Sequence, residues 1–147
     1  MRRVLYSLLV PYLLLGCVAL GEETSPAGMP VESYVLVEPD EINSRIRAAV
    51  EAGQEWQLDP VAIAIKFLGT TNYRYLNIER KIDKNSASKA VVTVIRGALK
   101  DDSIWGNWEQ LHMSRNEAGV WGIDEVRRAW RCYRRHQTKV FGERICP

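Results

Sequence analysis

The hydrophobic pattern of this chain changes period about halfway along. In the first half, Ile42, Ile46, Ala49, Val50, Gly53 and Trp56 recur at helical spacing, while Arg45, Arg47, Glu51 and Glu55 take the other faces. Pro39 opens this stretch at a position where its missing N–H costs nothing. Asp40 and Glu41 follow where the positive end of a helix dipole favours acids. One long amphipathic helix is predicted, preceded by a short strand at residues 33–37. Asp59-Pro60 interrupts it. Residues 61–68 read two ways. Val61, Ile63, Ile65 and Phe67 alternate as in a strand. Asp59 as N-cap, Pro60 at the first helical position and Gly69 as C-cap instead spell a short helix.

The second half reads as strands. Residues 73–82, 90–95, 104–115 and 120–132 carry β-branched and aromatic residues and are separated by turn signals. Apolar residues fall on both faces of 90–95, so this strand is expected to be central and covered on both sides. Asn116 to Gly119 makes a hairpin, with glycine available for a left-handed position. The inward phase shifts between Ile123 and Val126, which predicts a bulge near Asp124-Glu125. Trp105 and Trp108 are out of phase and can share a face only if a second bulge intervenes at Gly106. The predicted fold is α+β: one long N-terminal helix packed on a four- to five-stranded antiparallel sheet. In element order this resembles the cystatin-like and NTF2-like arrangements, which host many unrelated functions.

Composition adds a destination. Arg2 and Arg3 precede an apolar run at 4–15, which has the length and flanks of a signal peptide. Leu14-Leu15-Gly16-Cys17 resembles the bacterial lipobox, implying a signal peptide at 1–16 and lipidation of Cys17. The alternative is ordinary cleavage after Gly21. Residues 17–31 include a Gly-, Pro-, Ser- and Glu-rich stretch read as a flexible tether. Residues 32–147 form a single domain, large enough to bury a core of its own. The expected location is the cell envelope as a membrane-anchored lipoprotein, or the periplasm or exterior as a soluble protein. With Cys17 acylated or discarded, Cys132 and Cys146 remain and are expected to pair in an oxidising compartment.

Charge is unevenly placed. Residues 22–60 hold nine acids against Arg45 and Arg47, a net of −7; residues 61–147 hold sixteen Lys/Arg against nine acids, a net of +7. The halves can complement each other within one fold, or present a basic face to an anionic surface. The basic positions gather near the end: Arg134, Arg135, His136, Lys139 and Arg144 lie between the two cysteines. These are candidate binding residues, because guanidinium forks suit phosphates and carboxylates. Trp105 and Trp108 read first as core packing, with their indole N–H groups satisfied at the rim; in the sharper alternative they are further candidates, as walls of a ligand pocket, with Glu109 or His112 as a polar partner on the same strand. No hydrolase, phosphate-loop or zinc-protease motif is present, His112 and His136 suggest no ligand set, and no metal or cofactor is expected. Nucleic acid is not an expected partner, for want of a recognisable module.

Leu99-Lys100-Asp101-Asp102-Ser103-Ile104, then Trp121, Trp130-Arg131-Cys132-Tyr133-Arg134-Arg135-His136-Gln137, Phe141 and Cys146 resemble the C-terminal signature of a family of small exported bacterial proteins and lipoproteins. That signature sets W-[KR]-C before a basic segment and a last cysteine. The resemblance covers about the last fifty residues and implies export and the disulfide, without an activity. The leading expectation is a non-catalytic envelope protein that binds an envelope protein or anionic surface and reaches the membrane through its lipid. The alternatives are a small-molecule binder or enzyme with a pocket between helix and sheet, and a cystatin-like inhibitor or immunity protein acting through a loop edge.

Overall fold

A computed structural model describes residues 23–24, 28–69, 73–100, 102–134 and 139–146. The elements in order are β1 (Glu23–Thr24), β2 (Pro30–Val31), β3 (Val35–Val37), α1 (Asp40–Glu51), a 3-10 turn (Trp56–Leu58), α2 (Pro60–Leu68), β4 (Tyr75–Asp83), β5 (Ser86–Gly97), β6 (Ile104–Arg115) and β7 (Trp121–Cys132). The predicted signal peptide at 1–16 and the predicted lipidation site Cys17 lie outside the described residues. Residues 17–31, read as a tether, are described only at 23–24 and 28–31; there β1 pairs with β2, and Val31 is buried.

The single long N-terminal helix does not form, and this corrects the predicted architecture. Two short helices stand in its place against a five-stranded antiparallel sheet. Two local causes divide the helix. Gly53 takes φ +64°, a left-handed value open to glycine, two residues after α1 ends. Asp59, before Pro60, is forced into an extended conformation at φ −120° and ψ 117°. From there Asp59 caps α2, its carboxylate accepting from the Val61 N–H at 2.9 Å. Residues 61–68 are therefore helical. The caps outweigh the β-branched alternation, and Pro60, Ile63 and Ala64 turn onto the sheet while Ile65 stays exposed.

The sheet order is β3-β7-β6-β5-β4. β4 to β7 form a meander, and β3 lies at the opposite edge beside β7. The helical connection therefore runs from one edge to the other across a single face. On that face Val92, Val94, Leu111, Met113, Ile123 and Val126 pack against Ile42, Ile46, Ile63 and Ala64. Each such fully buried aliphatic side chain contributes about 1.5–3 kcal/mol relative to exposure. On the reverse face, Ile95, Trp108 and Ala129 form a second cluster with Phe141 and Val31. β5, sandwiched between β4 and β6, is buried at Ala90 and continuously from Val92 to Ile95, on both faces as its apolar run predicted.

Both bulges occur. Met113 pairs with Ile123 and His112 with Glu125, leaving Asp124 as the extra residue of β7. Asn43 of α1 closes the outer edge there: its amide donates to the Ile123 carbonyl at 2.9 Å, and its oxygen accepts from the Ile123 N–H at 3.0 Å. The second bulge lies between Ile104 and Gly106, with Trp105 as the extra residue. Gly106 is required by close approach, since an added Cβ would collide with the Arg96 carbonyl and lie 2.9 Å from the Gly97 Cα. Both obstacles are backbone and cannot rotate away. Gly106→Ala is expected to lower stability by about 1–3 kcal/mol. An unchanged urea midpoint would show that the β5–β6 pairing tolerates the methyl.

A C-terminal arm and a buried carboxylate

Cys132 ends β7 and Cys146 joins it in a disulfide, with Cα atoms 5.6 Å apart. Between them the chain returns along the sheet edge. Trp130 and Gly142 exchange both backbone hydrogen bonds at 2.8 and 3.0 Å, extending the edge that β3 leaves uncovered. The Phe141 N–H donates to the Pro30 carbonyl at 2.9 Å, and the Glu32 N–H donates to the Phe141 carbonyl at 2.9 Å. Phe141 is fully buried beside Trp108. Three anchors thus hold this arm: a disulfide, a strand pairing and an aromatic plug.

The anchors fix the outward residues. Arg134, Lys139 and Arg144 are exposed on the arm, as are Tyr133 and Ile145, the latter at 69%. The structure thus carries three of the five basic candidates on one anchored segment; Arg135 and His136 lie outside the described residues.

The two tryptophans take different roles. The bulge at Trp105 brings both indoles to the reverse face of the sheet. Trp108 is 1% exposed and packed into the second core cluster, so it walls no open pocket. Trp105 is half-buried, with Tyr75 at 6.0 Å, Phe141 at 6.3 Å and the Arg131 guanidinium 4.2 Å from its ring. It covers Gly97, where a Cβ would meet the ring at 2.7 Å. Farther along the same face, the ring nitrogen Nε2 of His112 lies 2.9 Å from Gln110 Oε1, and Arg127 donates to Glu125 at 2.6 Å beneath Tyr34. An open groove of about 460 Å³ runs past His112, Lys81, Lys89 and Asp124.

The most unusual chemistry lies on the helix side. Glu109 is the charged residue at the center of this arrangement and is 0% exposed. Strand register places Val94 and Arg128 on either side of it, with Arg96 and Asn107 one step along the same face. Arg96 donates to Glu109 Oε1 at 2.8 Å and, through its other terminal nitrogen, to the Leu68 carbonyl at the end of α2 at 2.7 Å. Arg128 Nε approaches the same Oε1 at 3.3 Å. Glu109 Oε2, Asn107 Oδ1, Arg96 Nε and Arg128 Nε are buried without a hydrogen-bond partner. Burial pushes the Glu109 pKa above the usual carboxylate value; Arg96 and then Arg128 pull it back, and burial wins.

Sequence inspection offered one signal for this cluster. Leu111 and Met113 point inward, and the two-residue period carries inward to Glu109. The arginines come from two other strands and were not legible. Among the described residues no group of three or more His, Cys, Asp or Glu is placed to hold a metal, and no helix is long and apolar enough to cross a membrane. No family model, curated protein or solved structure matches the chain.

Proposed function

We propose that this chain is an exported, non-catalytic domain of the cell envelope, anchored through a lipid on Cys17, that docks its C-terminal arm on an anionic envelope surface. The observation that carries this reading is the construction of the arm. Its ends are joined by Cys132–Cys146, and its later part is tied down by the Trp130–Gly142 pairing and Phe141. Its cations and its exposed Tyr133 and Ile145 face outward from that frame. Residues held by such anchors lose little conformational entropy on binding. Phe141 is also hydrogen-bonded to Pro30 and Glu32, so the arm lies beside the segment that leads back toward Cys17. A lipid at Cys17 would hold the arm close to the membrane surface, where one acyl chain gains from a second, electrostatic contact. The disulfide is compatible with export.

The test is the triple variant Arg134→Ala, Lys139→Ala and Arg144→Ala in the full chain. The expected result is a several-fold drop in the salt-sensitive retention of the protein on isolated envelope membranes, with an unchanged denaturation midpoint. Wild-type retention in the triple variant would remove the arm from the docking surface. Intact mass of membrane-extracted protein tests the anchor separately, through an acyl adduct on Cys17.

A further inference from the structure

A different site, on the opposite face from the tryptophan cluster, follows from the unsatisfied atoms around Glu109. Buried polar groups in folded proteins are almost always paired, and four orphans on one patch need an explanation. They divide evenly. Arg96 Nε is a donor without an acceptor, and Arg128 Nε has only its 3.3 Å ionic contact with Glu109 Oε1; Glu109 Oε2 and Asn107 Oδ1 are acceptors without donors. The patch is also unbalanced in charge, with two guanidinium groups on one carboxylate. Both arginines lean on Oε1, so Oε2 is left over. No described side chain supplies what is missing. Arg128 forms the outer wall, 28% exposed, whereas Arg96 is 14% exposed and held by Leu68. Arg128 is therefore the group that turns to admit a ligand.

We propose that this patch binds a small protonated oxyanion, a hydrogen phosphate or the monoanion of a phosphomonoester, at Arg96, Asn107, Glu109 and Arg128. The chemistry of the orphans selects this class. Phosphoryl oxygens accept from the arginine N–H groups, and guanidinium forks fit them well. The remaining P–OH donates to Glu109 Oε2 or Asn107 Oδ1. A sulfate of the same shape has no proton to donate near neutral pH. It would set a bare oxygen against the Glu109 carboxylate, an unpaired acceptor facing a buried acceptor. Acetate likewise brings acceptors only. A site that requires both a donor and acceptors discriminates strongly against analogues lacking one of them.

Thermal unfolding of the full chain tests this, with inorganic phosphate, glycerol 3-phosphate, sulfate and acetate titrated at pH 6, where the ester's protonated monoanion is well populated, against chloride of equal ionic strength. Phosphate, glycerol 3-phosphate or both are expected to raise Tm saturably, by about 3–6 °C at ten times the Kd. A response to inorganic phosphate alone identifies the free ion, and a stronger response to the ester identifies a phosphomonoester group. Arg128→Lys, which keeps the charge and loses the fork, is expected to weaken the response at least fivefold; this variant serves if Arg128→Ala does not fold. Glu109→Gln, which can donate as well as accept, is expected to admit sulfate. The triple arm variant retains the phosphate response, which separates this site from the docking surface. The proposal is overturned if phosphate and its ester shift Tm no more than chloride, if sulfate matches phosphate in the wild type, or if Arg128→Lys responds like the wild type.

Discussion

Glu109→Ala is expected to lower the unfolding free energy by about 3 kcal/mol at pH 7. That is the lower end for removing one partner of a buried ion pair, because the arginines left behind keep some contact with water, at 14% and 28% exposure. The loss comes from stranding two guanidinium groups, one of them tied to the end of α2 through Leu68. The buried pair itself need not be strongly favourable, since burial of Glu109 opposes its ionisation more than the arginines support it. These statements agree: a buried pair can contribute little in total and still be costly to break on one side. The raised pKa also sets a pH dependence. The folded chain holds the Glu109 proton more tightly than the unfolded chain, so this group's contribution falls as pH rises from about the ordinary value of 4.5 through the higher folded value. Glu109→Gln cannot titrate and is expected to lack that component. Urea denaturation of wild type and both variants across pH 4 to 8 checks both points. A wild-type Glu109→Ala midpoint, or an identical pH slope in Glu109→Gln, would contradict this account.

Cys132→Ser with Cys146→Ser is expected to cost a further amount of similar size, about 3 kcal/mol in the chain-entropy description of a loop this long. The loss should have a distinct location. Without the bond, the arm is held by the Trp130–Gly142 pairing and by Phe141. Phe141 covers Trp105 and Trp108, so its release exposes indole surface. Tryptophan emission should shift to the red at denaturant concentrations below the main transition. Reductant should reproduce the effect in the wild type and leave the double variant unchanged. One coincident transition at the wild-type midpoint, with or without reductant, would mean that the disulfide adds nothing to the arm.

The legible parts of the fold are those governed by neighbours in sequence. The two-residue alternation marked β4 to β7, the phase change at Ile123–Val126 marked the bulge at Asp124, and the offset of Trp105 from Trp108 left the second bulge as a condition for a shared face. The helix ends earlier than its apolar stripe, because the stripe from Ile42 to Trp56 continues through Gly53 and spacing alone does not report that Gly53 takes a left-handed φ. The pattern at 61–68 was open because its caps and its alternation disagreed; the caps prevailed once Pro60, Ile63 and Ala64 had a sheet to pack against. The disulfide was foreseen from thiol count and an export-like N-terminus, and the pairing of Cys132 with Cys146 agrees.

The sequence by itself determined the strands, the hairpin, the bulge at Asp124 and the pairing of the two cysteines, because period, turn chemistry and thiol count act over short spans or by elimination. Tertiary structure alone decided that of the two tryptophans Trp108 is the fully buried one, that the arm is tied to Pro30 through Phe141, and that Glu109 lies between Arg96 and Arg128. The physical reason is register. Arg96, Glu109 and Arg128 sit on three strands, and only the hydrogen-bonded alignment of β5, β6 and β7 brings their side chains to one place on one face.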